Sequence, residues 1–189
     1  MPNSTNAIEI RMAKRQKQFQ FQGSEFHKPA DSFGGSLLKG NPKSARPLDS
    51  KLPVHLTLRA RKSVLRLPKT FGLVQDLIEA TAKKYGITVF KNANVGNHIH
   101  MVIQVKPKLW ARFIRELTGR IAQMVKELGI QVAESFWLYR PHTRIVRGWR
   151  TAFRSALDYV ELNQLEAAGF ISRKQTKTLK DLRAIWEDG

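Results

Sequence analysis

The spacing of apolar positions changes along this chain, and the changes divide it into elements. Residues 1 to about 50 show no sustained period. Runs such as Phe33-Gly34-Gly35-Ser36 and Gly40-Asn41-Pro42-Lys43 punctuate a stretch rich in Gln, Ser, Asn and Pro, which predicts an irregular arm. From Pro53 the texture differs: Val54-His55-Leu56-Thr57-Leu58-Arg59 alternates apolar with polar, the two-residue period of a half-buried strand. Phe71 to Tyr85 then carries Leu73, Val74, Leu77, Ile78 and Thr81 at helical spacing, with Gly86 as the stop. Ile87-Thr88-Val89-Phe90 predicts a second strand, Asn92-Ala93-Asn94 a turn, and Gly96 to Val105 the returning arm of a hairpin. Pro107 opens a second helix, with Phe113, Leu117, Ile121, Met124, Val125 and Leu128 on one face and Gly129 after it. A short extended run, Thr143 to Val146, precedes a third helix from about Thr151 to Ala168. A last helical stretch covers Gln175 to Trp186.

The order strand, helix, strand, strand, helix, strand predicts an α+β protein. It matches the ferredoxin-like split β-α-β arrangement, an antiparallel sheet with helices packed on one face. The expected division is an irregular basic arm over 1–50, a folded domain over 51–170 and a helical extension over 171–189.

Charge narrows the partners. Lys and Arg number 33 against 15 Asp and Glu, a formal net charge of +18, which points to a polyanion and first to nucleic acid. No apolar run approaches the ~20 residues that span a bilayer, and no signal-type apolar core follows Met1, so no membrane role and a cytoplasmic location are expected. Without cysteine, disulfides, thiolate metal sites and cysteine nucleophiles are excluded. Any metal would be held by histidine, carboxylate, amide or phosphate oxygen.

His98 and His100 meet that condition. Side chains two apart on a strand point to the same face, so both imidazoles would project toward one ion or one phosphate. The plainer alternative is a pair of packed histidines, although burying two titratable rings where valines would serve is costly without partners. In the third helix Tyr159 and Asn163 lie one turn apart. Taken alone they would be a core-edge tyrosine and a solvated asparagine. Beside two histidines they become a candidate nucleophile and an oxygen ligand, the parts of a phosphodiester-cleaving site.

At this point the chain resembles the single-tyrosine HUH transposases, and among them the REP-associated tyrosine transposase branch. The likeness spans roughly Lys51 to Phe170. It rests on Val54 to Arg59 as the opening strand, Asn97-His98-Ile99-His100 as an Asn-His-x-His signature, the aromatic and basic segments Phe136 to Arg140 and His142 to Val146, and Tyr159-Val160-Glu161-Leu162-Asn163 as a Tyr-x-x-x-Asn motif. The resemblance implies Mg²⁺ or Mn²⁺ held by His98, His100 and Asn163, and Tyr159 as the nucleophile that cuts and rejoins single-stranded DNA beside hairpins. It also allows a homodimer, since related transposases work in pairs. Gln164 and Glu166 stand where related sequences often carry proline and arginine.

Arg59, Arg61, Lys62, Arg144, Arg147, Arg150 and Arg154 are the cations expected to meet DNA, with Trp137 and Trp149 as stacking aromatics and Arg112, Arg115 and Arg120 adding charge on the second helix. If six such groups touch phosphates, the logarithm of affinity should fall against the logarithm of salt with a slope of about −4 to −6. Arg11, Lys14, Arg15 and Lys17 form a further basic cluster in the arm. His55 and His142 stay outside the expected catalytic set, as do Glu134 and Asp158. Two other functions compete: a catalytically idle relative that binds structured nucleic acid, and an RNA-binding ferredoxin-like module. The strands lack the aromatic pair that the last would use.

Overall fold

The structure, a computed structural model, describes residues 31–37, 45–132, 135–148 and 150–172. The basic cluster at Arg11 to Lys17, Glu134, Trp149 and the helical stretch expected from Gln175 lie outside these residues. The elements are β1 (Ser32–Phe33), β2 (Val54–Arg59), α1 (Pro68–Tyr85), β3 (Thr88–Asn94), β4 (His98–Gln104), α2 (Pro107–Glu127), β5 (His142–Ile145) and α3 (Thr151–Ala167). The strands form one antiparallel sheet in the order β1-β5-β2-β4-β3. β4 is thus inserted between β2 and β3, the two strands that α1 connects, which is the split β-α-β arrangement the order of elements predicted.

Strand alternation sends Val54, Leu56 and Leu58 of β2 and Ile99, Met101 and Ile103 of β4 to one face. There they meet Val74 and Ile78 of α1 and Trp110, Phe113, Leu117 and Ile121 of α2 in the main core. α1 and α2 therefore cover a single face, as expected. The third helix does not join them: α3 packs on the opposite face, through Val160 against Ala93 of β3 and Val102 of β4. A bulge between Val89 and Lys91 makes this possible, because the extra residue Phe90 turns toward α3 and meets Phe153 edge-on at 4.9 Å. Lys91 also pairs with Glu161 across the same seam.

Several boundaries move from the sequence expectation. α1 starts at Pro68, whose fixed φ and missing N–H suit the first helical turn, and Leu73 is 42 % exposed and off the buried stripe. The hairpin turns at Val95-Gly96-Asn97, not at Asn92-Ala93-Asn94. Asn94 stays in the strand and supplies the turn chemistry with its side chain: Oδ1 accepts from Gly96 N–H and Nδ2 donates to the Leu65 carbonyl. Gly96 has φ +97°, and a Cβ there would lie 2.6 Å from Ser63 Oγ, so only glycine fits.

The arm is less irregular than its composition suggests. Ser32 and Phe33 pair with Arg144 and Thr143 of β5 and become the sheet's edge strand. Arg46 lies over the Phe33 and Trp110 rings and donates to Thr143 Oγ1, and burial holds its pKa down at about 10. Among the described residues, no helix is long and apolar enough to cross a membrane.

Candidate active site

The face opposite the main core carries polar residues in register. Thr57 stands across from His100 on one side and from His142 on the other, His55 across from Arg144 and Val102, and Arg59 across from His98. Residues directly opposite in an antiparallel ladder project to the same side, so His55, His98, His100 and His142 share this face with Arg59 and Arg144. α3 rests on the β3–β4 half of it. On the β2–β5 half, the 3-10 turn Gly35–Leu37 lies against His142, where a Cβ on Gly35 would stand 3.1 Å from that side chain.

His98 and His100 meet with ring centroids 4.6 Å apart. His98 is half-buried, and its Nδ1 lies 2.6 Å from Asn97 Oδ1. A carboxamide oxygen only accepts, so the ring proton sits on Nδ1 and the lone pair on Nε2, the form in which a histidine ligates through Nε2. Burial first, and the positive charge of Arg59 second, hold the His98 pKa down at about 4, so the ring is neutral at pH 7. His100 is buried, and its Nδ1 lies 3.2 Å from both Thr57 Oγ1 and His55 Nε2.

Tyr159 reaches these rings from α3. Its centroid is 5.4 Å from His100 and 5.6 Å from His55, edge-on to both. Asn163, one turn further along α3, is buried, and its Nδ2 donates to the Tyr159 carbonyl at 2.6 Å. That bond orients the amide and leaves Oδ1 as its acceptor. Among the described residues no three histidine, aspartate or glutamate side chains are grouped to hold an ion. His98 and His100 are the imidazoles brought together, and Asn163 stands one turn from Tyr159 on the helix that packs over this face; imidazole nitrogen and amide oxygen are donors suited to first-row divalent ions.

The cations expected to contact DNA separate into two groups. Arg59 and Arg144 lie on the histidine face, and Arg150 and Arg154 are exposed in the first turn of α3. The other three also make contacts within the protein. Arg61 donates to Ser135 Oγ, Lys62 to the Gln131 carbonyl, and Arg147 makes two parallel hydrogen bonds to the buried Asp31 carboxylate. Trp137 is partly buried, packed against the main core with its Nε1 donating to the Thr118 carbonyl. Arg112, Arg115 and Arg120 sit on α2, across the sheet from the histidines.

Sequence reasoning left His55 out, and the structure puts it in contact with both His100 and Tyr159. Alternation already placed His55, Thr57 and Arg59 on one face of their strand. What sequence lacked was the register that sets that face beside His100.

A split β-α-β sheet with two helices on one side and a histidine-lined face under a third helix defines an α+β, ferredoxin-like protein. The chain belongs to the IS200-like transposase family, which matches residues 49–143. That span contains His98 and His100 and ends before α3. Among solved structures the chain is similar to a REP-associated tyrosine transposase bound to a REP hairpin, at 14 % identity and a TM-score of 0.54, with 69 % of this chain and 76 % of that one covered. A proposed transposase from Deinococcus radiodurans R1 aligns at 16 % identity over 67 % of this chain and 98 % of its own, with a TM-score of 0.42. No curated protein matches the chain.

Proposed function

We propose that this transposase-family protein cuts and rejoins single-stranded, hairpin-associated DNA through a covalent phosphotyrosine on Tyr159, with Mg²⁺ or Mn²⁺ held by His98, His100 and Asn163. The observation that carries the reading is the approach of Tyr159 to the histidine pair, 5.4 Å between its ring and that of His100, within one chain. The hairpin substrate is supported by the hairpin-bound neighbour, whose fold this chain shares.

When bound, the ion would neutralise phosphate charge and polarise the scissile bond. The protein's own groups do the rest. The Tyr159 oxygen attacks phosphorus in line, forming a tyrosine–phosphate ester as the bond to one DNA end breaks. The phenol gives up its proton and the departing oxygen gains one. Attack on that ester by the hydroxyl of another DNA end reverses the step and frees the tyrosine. Arg59 and Arg144, on the same face as the histidines, attract the DNA backbone to the site.

The test is to incubate the protein and Tyr159→Phe with labelled hairpin DNA and Mn²⁺ or Mg²⁺, then resolve covalent adducts on a denaturing gel. An adduct from the unaltered protein alone, lost with chelator, is expected. Salt-sensitive binding with no adduct over a broad pool of hairpins would identify an idle nucleic-acid-binding relative instead.

A further inference from the structure

His55 has no part in the chemistry set out so far, yet it touches the buried member of the histidine pair and the tyrosine together. Its Nε2 lies 3.2 Å from Nδ1 of His100, and the two rings are 17° from parallel with centroids 5.3 Å apart. That separation is close to the N···N distance plus the two ring radii. The nitrogens therefore lie nearly on the line between the rings, and the contact is an in-plane hydrogen bond and not a face-to-face stack. Across such a bond one nitrogen donates and the other accepts.

The direction of that bond decides what His100 can do. If His100 Nδ1 donates, the lone pair of His100 is on Nε2, and the ring matches His98, whose Nδ1 proton is fixed by Asn97. If it accepts, Nε2 carries the proton and cannot ligate. Thr57 Oγ1, also 3.2 Å from Nδ1, is another acceptor in reach, but a hydroxyl can rotate to donate as readily as to accept and does not fix the tautomer alone.

We propose that His55 is a positioning residue whose Nε2 accepts the His100 Nδ1 proton and so locks His100 in the tautomer able to ligate a divalent cation through Nε2. The proposal rests on the metal reading above, since a locked tautomer serves a ligand. It assigns this first-strand histidine to the arrangement of the site and not to the covalent step.

The experiment measures Mn²⁺ binding without DNA, by paramagnetic resonance titration, for the unaltered protein, His55→Gln, His55→Phe and Thr57→Val. Alongside it, ¹⁵N resonance of the His100 ring is recorded without metal. His55→Gln keeps an acceptor near the place of Nε2 and should bind Mn²⁺ almost as the unaltered protein does. His55→Phe keeps a flat ring without the acceptor and should bind about 10- to 100-fold more weakly, the usual loss when a ligand's orienting partner is removed. Its His100 nitrogens should also move from a single-tautomer pattern toward averaged values. Unchanged Mn²⁺ affinity and an unchanged His100 pattern in His55→Phe would overturn the proposal, and a loss in Thr57→Val would then give the role to Thr57. If the unaltered protein binds no Mn²⁺, the metal reading fails by itself. The resonance data still decide about His55: a Nδ1-protonated His100 that averages in His55→Phe upholds the lock, and one that does not refutes it.

Discussion

The surroundings of His55, His98 and His142 each lower the imidazole pKa. Burial is the larger cause for all three, reinforced by His142 and Arg144 around His55, by Arg59 near His98, and by Arg46 and Arg144 near His142. The pKa falls to about 3 for His55 and about 4 for His98, against 6.5 for an unconstrained imidazole. Between those values the unfolded chain binds protons that the folded one refuses. Stability should therefore be full above pH 6.5 and decline as pH falls toward 4, by at most about 1.4 kcal/mol per pH unit for each histidine and less for a partly exposed ring. Urea midpoints at pH 7 and pH 5 check this. A His55→Gln variant should lose less between the two pH values than the unaltered protein, and equal losses would remove His55 from the account. Much of the residue-level site was legible in sequence: the His98–His100 spacing fixes a shared face on any strand, and Tyr159 and Asn163 share a helix face by their four-residue step. The partners Asn97 and His55 were not, because a tautomer depends on one hydrogen bond and a cross-strand contact depends on register.

At the scale of elements, α3 stands apart from the rest. It is held by a small apolar patch, Val160 with Ala93 and Val102 and the Phe90–Phe153 contact, on the far side of the sheet from the main core. Val160→Ala, which deletes two fully buried methyl groups, should weaken this docking by about 2 kcal/mol. Because the patch is separate, the loss should be local: amide exchange over 151–167 should quicken by a factor of roughly 30 while α1 and α2 keep their protection. Equal acceleration everywhere would mean that the two cores unfold as one. The elements themselves were readable from period and punctuation, with Gly86 and Gly129 marking the ends of α1 and α2. The side on which α3 packs was not. Nothing in the apolar period of Thr151 to Ala168 says which sheet face it meets, and the bulge that turns Phe90 toward it leaves no mark in the sequence. The hairpin turn was misplaced for a similar reason, since Asn94 bonds the turn from within the strand.

For the molecule as a whole, the charge of +18 counts cations whose donors are engaged within the protein along with the rest. Arg61, Lys62 and Arg147 bind Ser135, Gln131 and Asp31. If only the other four expected cations reach phosphates, single-stranded DNA should bind with a salt slope of about −3, shallower than the charge alone suggested. A measured slope of −5 or steeper would mean that the three engaged side chains let go to bind DNA. The arm also belongs to the fold further than its composition implied. Removing residues 1–50 deletes β1, Asp31 and Arg46, uncovers the edge of β5, and should lower the melting temperature and promote self-association. Composition misjudged this segment because two paired residues and one ion pair are too few to create a period.

The histidine pair stands on β4 and Tyr159 on α3, and α3 meets the sheet through a small apolar patch of its own. Under the proposed DNA activity, a captured strand would be tied by its covalent bond to the helix and to no part of the sheet. The patch of Val160, Ala93 and Val102 is then the mooring between the cargo and the body of the protein, and whatever loosens it lengthens the tether on which the cut end moves.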